Sequence, residues 1–318
     1  MKNLNVLRAN LPIVLTALGL ASAHAASQQT YVSVNGTDNT SCAADAPCRH
    51  LQAAVTNTAA GGSVLVVNSG DFGPVYITRS VRILASAGTD AVIMVDKSAN
   101  GGSGRGVLIE APGANVQLRG LTIRDGGGGI AVQVRDANAL GVEGCEISGF
   151  AHKGIYVTAQ TAVQVLGTTF RNNFTAVDSS ARSLRIDGST FVSNQTAVYT
   201  DQATRIDDTS VTGDASSEFG VVSHAPNGRE IRIDVERSTL TGTAVAFYSH
   251  TEGTTGSVLL DVKDTVLSGN GKAFYAEGPS GSVIAMVDGQ PIAVTTPAVL
   301  TVQAETSDEK KPAPEQTR

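Results

Sequence analysis

One phrase returns along the middle of the chain and decides the fold. It reads Val116-Gln-Leu-Arg-Gly-Leu-Thr-Ile123 and then Leu140-Gly-Val-Glu-Gly-Cys-Glu-Ile147. It continues as Val163-Gln-Val-Leu-Gly-Thr-Thr-Phe170 and Leu184-Arg-Ile-Asp-Gly-Ser-Thr-Phe191, and weaker copies end at Val211, Leu240 and Leu267. Each copy consists of two stretches in which apolar and polar residues alternate, separated by a small or polar residue. This pattern predicts two short strands. The final apolar residues lie 20 to 29 residues apart, so insertions are confined to the turns.

Each repeat also holds a third short strand, such as Gly154-Ile-Tyr-Val and Ala246-Phe-Tyr-Ser. Three strands in a repeat of this length predict one coil of a parallel β-helix, and the coils must stack because none can bury its apolar face alone. A β-sandwich would not need the same phrase in phase, and the consensus of a leucine-rich repeat is missing. We predict an all-β solenoid of about nine to ten three-stranded coils over residues 63–304.

The ends of the chain differ from the repeats. Residues 1–25 combine basic Lys2 and Arg8, the apolar run Leu11–Ala21 and a small-x-small site at 23–25, which predicts a signal peptide rather than an uncleaved anchor. Residues 26–62 are predicted to form a strand and a short helix around Leu51–Val55 that caps the open end of the stack. Residues 305–318 are charged and contain proline, which predicts a disordered tail.

The composition and net charge limit the classes of ligand that the chain is expected to bind. The chain is 41% hydrophobic but 4% aromatic, with 34 glycines and no tryptophan, which favours a core of small aliphatic residues. Its net charge of −6 becomes −8 without Lys2 and Arg8. A nucleic-acid ligand is not expected, because phosphate binding needs a basic surface. No membrane span is predicted after signal cleavage, and the oligomeric state is not indicated.

The three cysteines are expected to differ in chemical state. Export to the periplasm or the extracellular space would allow a disulfide, and Cys42 and Cys48 are predicted to form one. A metal pair is the alternative, although no histidine or acid spacing accompanies it. Cys145 lies within a predicted strand and is interpreted as a buried thiol rather than a nucleophile.

On these residues the chain resembles the right-handed parallel β-helix proteins of the pectin-lyase-like superfamily. The most specific part is the entry, Tyr31-Val-Ser-Val-Asn-Gly-Thr-Asp, Pro47-Cys-Arg-His-Leu-Gln-Ala-Ala-Val and Gly61-Gly-Ser-Val-Leu-Val. The resemblance implies a right-handed helix and polysaccharides as the usual ligand class, with lyases, hydrolases and epimerases among the enzymes. The catalytic signatures of the polygalacturonase-like hydrolases and the acid pattern of the pectate lyases are missing, so no catalytic residue is carried over.

Strand alternation predicts which side chains of the third strands point outward. One outward row is Tyr156, Asp178, Tyr199, Val222, Tyr248 and Tyr275. Because a tyrosine ring offers an apolar face and a hydroxyl, Tyr156, Asp178, Tyr199 and Tyr275 are predicted to bind a ligand. The alternative is that tyrosine is simply a good exposed strand former.

The next outward row, two residues further along each strand, is Thr158, Ser180, Asp201, His224, His250 and Glu277. Together with Tyr248, the residues Asp201, His224, His250 and Glu277 are catalytic candidates for acid/base work such as β-elimination. The same groups could instead hold a metal ion, or form a solvated polar rim. No cofactor and no metal site are predicted, and a divalent cation such as calcium has no motif to support it.

Three functions follow from these rows. The first is an exported protein that interacts with polysaccharide through the tyrosine, histidine and acid face. The second is a lyase or hydrolase acting on uronate-containing glycans, and the third is a non-enzymatic structural or surface protein.

The asparagines that follow the second strands, Asn172, Asn173, Asn194 and Asn270, are interpreted as turn residues of left-handed conformation.

Overall fold

The computed structural model describes residues 26–279 and 282–292. The predicted signal peptide at 1–25, residues 293–304 of the predicted solenoid and the predicted tail at 305–318 lie outside the described residues. The described chain winds into a parallel β-helix in which every coil contributes one strand to each of three sheets. Nine coils carry all three strands among these residues.

The first sheet contains the first strand of every coil and the strands at the two ends of the stack. Its strands are Ser27–Val32, Thr58–Val66, Val81–Ala85, Asn115–Arg119, Ala139–Glu143, Ala162–Leu166, Ser183–Asp187, Thr204–Asp207, Glu230–Glu236, Ser257–Lys263, Val283–Val287 and Gln290–Ile292. Only the last pair is antiparallel, so a hairpin ends this sheet.

The second and third sheets complete the coils. The second sheet consists of Gly70–Asp71, Ala91–Val95, Leu121–Asp125, Glu146–Ser148, Thr169–Arg171, Thr190–Val192, Ser210–Thr212, Thr239–Thr241 and Val266–Ser268. The third sheet consists of Val75–Ile77, Arg105–Glu110, Ile130–Asp136, Lys153–Val157, Thr175–Ser179, Thr196–Thr200, Phe219–Ala225, Val245–Thr251 and Lys272–Glu277.

The repeated phrase stacks in register. The apolar residues that end its copies, from Ile123 and Ile147 to Leu267, pair coil by coil along the second sheet. Phe170 and Phe191 are fully buried and stacked, with ring centroids 4.8 Å apart. The predicted solenoid is confirmed, and its core is a continuous column of aliphatic and phenylalanine side chains.

At the first end of the stack, a short helix Leu51–Asn57 buries Leu51, Ala54 and Val55. A second helical turn, Ala99–Gly102, precedes one of the third-sheet strands. Cys42 and Cys48 form the predicted disulfide, and both are buried. Cys145 is buried too, and burial raises the pKa of its thiol to about 11, so the thiol stays protonated at neutral pH.

The asparagines after the second strands depart from the turn interpretation. Only Asn172 has a positive φ, whereas Asn173 and Asn194 are buried. Asn173 Nδ2 donates to Asn194 Oδ1 at 2.9 Å and to the Ile147 carbonyl at 3.1 Å. Asn194 and Asn270 likewise donate to carbonyls of the preceding coil. These amides therefore tie neighbouring coils together, because a bend leaves backbone groups that the sheet ladder does not pair.

Candidate functional site

The predicted tyrosine row is one ladder of the third sheet. Tyr156, Asp178, Tyr199, Val222, Tyr248 and Tyr275 are consecutive register partners. The ladder continues in the other direction through Gln133 and Leu108 to Tyr76, so five of the six tyrosines share it. Val222 is the exception in burial, since it is covered while the tyrosines are partly exposed.

The second row is also a ladder where the strands are long enough. His224 pairs with His250, and His250 pairs with Glu277. The rings of His224 and His250 have centroids 5.3 Å apart. Asp201 follows the last paired residue of its strand, and its Oδ2 accepts a hydrogen bond from Ser180 at 3.1 Å.

The histidines lie on coils that differ from their neighbours in length. The third-sheet strands Phe219–Ala225 and Val245–Thr251 have seven residues, whereas the two strands before them have five. The longer strands carry His224 and His250 past the point where the earlier strands end. They also allow the chain after His250 to turn back over the preceding coil, where Glu252 donates its backbone N–H to the Ala225 carbonyl at 2.9 Å.

Glu252 is a site residue that the sequence reasoning missed. Its Oε1 lies 3.1 Å from His224 Nε2, on the opposite side of the ring from Tyr199, whose hydroxyl oxygen is 3.2 Å from Nδ1. His224 is thus held between a phenol and a carboxylate, and its side chain is 22% exposed. Glu252 stands in a turn outside every repeated strand, so strand alternation offered no signal for it.

The Glu277 carboxylate accepts hydrogen bonds from the hydroxyls of two tyrosines. Tyr248 donates to Oε2 at 2.7 Å and Tyr275 to Oε1 at 3.0 Å. These hydrogen bonds lower the pKa of Glu277, chiefly through Tyr248. Burial and the same carboxylate raise the pKa of Tyr248 well above its ordinary value. Tyr248 therefore stays protonated and donates a hydrogen bond to Glu277, whereas His224 is contacted by Tyr199.

Tyr199 is the tyrosine best placed to hold a proton beside an imidazole. Burial raises its pKa, and the negative charges of Asp178, Asp201 and Glu252 raise it further. Its hydroxyl is therefore neutral across the physiological range. The Tyr199–His224 pair can act as a hydrogen-bond donor or proton donor toward a ligand on this face.

The tyrosine rings differ in the surfaces they leave free. Tyr248 is packed between Phe219 and Tyr275, with ring centroids 5.2 Å and 5.6 Å away. Lys272 Nζ lies 4.2 Å from the centroid of the Tyr275 ring. Toward the other end, Lys153 forms an ion pair with Asp178, which is the register partner of Tyr156. Tyr248 and Tyr275 therefore present edges and hydroxyls rather than open faces.

Comparison with known proteins agrees with this architecture. A family model described as a right-handed β-helix region matches residues 75–215. Among solved structures, pectate lyase Pel9A is similar with a TM-score of 0.60, 13% identity, and coverage of 88% of this chain and 84% of that chain. A rhamnogalacturonan lyase has a TM-score of 0.41 and 10% identity over 74% of each chain. A search of curated proteins found no match.

The family model and the similarity to the pectate lyase establish the fold, and they do not assign chemistry to the residues of this chain. Among residues 26–279 and 282–292, no helix has the length and apolar character needed to cross a bilayer.

Proposed function

We propose that this chain, whose fold is a right-handed β-helix, binds a polysaccharide along the outer face of its third sheet. The observation that carries the proposal is the unbroken ladder from Tyr156 to Tyr275, flanked by the row of His224, His250 and Glu277. Five steps between coils at about 4.8 Å each make a straight polar and aromatic track roughly 24 Å long. A rigid track of this shape suits an extended chain of repeating units.

The charge of this face favours neutral glycans over uronates. Asp178, Asp201, Glu252 and Glu277 carry carboxylates here, while Lys153 is already paired with Asp178 and Lys272 lies over Tyr275. A polyanionic ligand would meet net repulsion, whereas sugar hydroxyls can donate to carboxylates and accept from tyrosines. The Cys42–Cys48 disulfide supports export, since such bonds persist in oxidising compartments.

Glycan binding is tested by affinity electrophoresis and calorimetry of the protein, residues 26–318, against neutral and uronate polysaccharides. Tyr156→Ala and Tyr199→Ala are each expected to weaken binding of the preferred glycan about tenfold, equivalent to ~1.4 kcal/mol. Tyr76→Ala is the matched control, because Tyr76 lies on the same ladder three coils away from Tyr156. Absence of binding to every glycan, or equal losses in all three variants, would refute the proposal and favour a structural surface protein.

A second candidate function, β-elimination on a uronate glycan, is favoured by the Tyr199–His224 contact. His250, 39% exposed, would remove the proton α to the uronate carboxylate, and the electron pair left on that carbon would form a double bond to its neighbour. The bond from that neighbour to the glycosidic oxygen would break, and Tyr199 would protonate the departing oxygen. His224 would orient Tyr199, since its Nδ1 lies 3.2 Å from the Tyr199 hydroxyl oxygen.

This reaction is measured by the ultraviolet absorbance of the unsaturated product. Tyr199→Phe and His250→Gln are expected to lower kcat at least about 100-fold while the protein remains folded. His152→Gln is the matched control, because His152 is exposed and lies outside both rows. Activity that survives in Tyr199→Phe would exclude Tyr199 as the acid, and absence of product from every uronate glycan would exclude the reaction.

A further inference from the structure

The structure brings together three metal-ligating side chains that belong to different parts of the sequence pattern. His224 and His250 are register partners on adjacent coils, and Glu252 turns back over them from the following loop. Each of the three offers one ligand atom, and these atoms lie within 4.8 Å of one another. The backbone of all three residues is hydrogen-bonded to neighbouring coils, so the cluster is built on the sheet rather than on free side chains.

Two nitrogens of the cluster are buried without a hydrogen-bond partner. They are Nε2 of His224 and Nδ1 of His250. The Glu252 carboxylate approaches His224 Nε2 to 3.1 Å, but the directions of the groups do not make a hydrogen bond, and the Glu277 carboxylate stands 3.8 Å from His250 Nδ1. Buried polar atoms are normally satisfied, so two unpartnered imidazole nitrogens that face carboxylates favour a bound cation.

The Nδ1 atom of His224 already has a polar neighbour, as the second nitrogen of a metal-binding histidine usually does. Its Nδ1 faces the Tyr199 hydroxyl at 3.2 Å. A ligating histidine commonly uses its second nitrogen for a hydrogen bond that fixes the tautomer and the ring orientation. The contact with Tyr199 therefore leaves Nε2 of His224 facing Glu252.

The donor set selects the class of metal. Two imidazoles and one carboxylate suit zinc and related transition metals, whereas calcium and magnesium prefer sites made of oxygen alone. Tetrahedral ligands with bonds of about 2.0–2.1 Å lie about 3.4 Å apart, so a spacing of up to 4.8 Å needs a contraction of up to about 1.4 Å. Glu252 is 53% exposed and free to rotate by that amount. The carboxylates of Asp201 and Glu277 at the same end of the face add negative potential.

We infer that His224, His250 and Glu252 bind one divalent transition-metal ion of the zinc type. The fourth coordination position is left to water or to a ligand atom. The site does not depend on glycan binding, because the ion is held by protein groups alone. It is an alternative to β-elimination, because a neutral imidazole has a single lone pair and a ligating His250 cannot also act as the base.

The test is isothermal titration of the chelator-treated protein, residues 26–318, with zinc chloride and separately with calcium chloride, with no glycan present. We expect one zinc ion per chain at micromolar affinity or tighter, and much weaker binding of calcium. His224→Gln and His250→Gln are each expected to weaken zinc binding at least about 100-fold, and Tyr199→Phe about tenfold. His152→Gln, the exposed control, should bind zinc as the parent protein does.

Glu252→Gln keeps the test decisive if a histidine variant fails to fold, because Glu252 is exposed and its loss does not disturb the core. It should weaken zinc binding while the circular dichroism spectrum and the thermal midpoint of the metal-free protein stay unchanged. Cobalt titrated in place of zinc should produce the visible absorption of a tetrahedral site. The inference is overturned if zinc does not bind, if His224→Gln and Glu252→Gln bind it like the parent, or if calcium binds equally well.

Discussion

Phe191→Ala is expected to lower the free energy of unfolding by about 3–5 kcal/mol, the cost of emptying a large buried aromatic site. Phe191 is fully buried and its ring is stacked on that of Phe170 in the coil below, at an interplanar angle of 8°. Its register partner in the next coil is Val211, so the lost ring leaves a cavity between three coils. Urea unfolding followed by far-ultraviolet circular dichroism measures the loss.

Phe174→Ala is the matched control for this substitution. Phe174 lies four residues after Phe170 but is 50% exposed, so its removal should change the free energy of unfolding by less than about 1 kcal/mol. Equal losses for Phe174→Ala and Phe191→Ala would contradict the interior packing described for this column. A small loss for Phe191→Ala alone would contradict it as well.

Gly154→Ala is expected to destabilise the protein by about 3 kcal/mol or more, although the change adds a single methyl group. The Cβ would lie 2.4 Å from the carbonyl oxygen of Ala176 in the next coil, a contact that real Cβ atoms do not make. Relief requires the backbone to move, and Ile155 pairs with Val177 in the same parallel ladder, so movement disturbs the sheet. The midpoint and slope of urea unfolding report the result.

Gly141→Ala distinguishes this clash from a general effect of replacing a strand glycine. Gly141 lies in Ala139–Glu143, and its added Cβ would meet only Gln117 Cγ, at an ordinary 3.8 Å. Because alanine restricts the unfolded chain more than glycine does, this variant is expected to be neutral or up to about 1 kcal/mol more stable. If Gly141→Ala and Gly154→Ala behaved alike, close approach of the coils would not be the cause.

The position of Gly154 within its strand explains a second regularity of the repeats, which the alternation of apolar and polar residues does not account for. In the third-sheet strands from Arg105–Glu110 onward, the residue that precedes the buried apolar position of Ile155 is glycine or alanine, as in Gly154, Ala176, Ala197, Gly220 and Ala246. A Cβ at Gly220 would likewise come within 2.5 Å of the Ala246 carbonyl oxygen. The repeats therefore record a steric limit between coils as well as a hydrophobic pattern.

The contacts around the histidines show where sequence reasoning stopped. Alternation placed His224, His250 and Glu277 on one outward row, and the observed register agrees. The sequence analysis grouped Tyr248 with the histidines. In the structure, the Tyr248 hydroxyl instead donates a hydrogen bond to Glu277, and Tyr199 is the tyrosine that contacts His224. Which neighbour a long side chain reaches depends on its rotamer and on the packing of adjacent rings, and neither is written in residue spacing.

The sequence by itself determined the solenoid, the three strands of each coil and the rows on their outer faces. It could do so because side-chain direction in a strand alternates with period two and stacked coils repeat that direction. Only the tertiary structure decided that Glu252 returns to His224, that Asn173 and Asn194 bond across coils, and that the faces of Tyr248 are covered. These contacts arise from loops and rotamers, whose geometry is set by the three-dimensional packing of neighbouring coils rather than by a repeat along the chain.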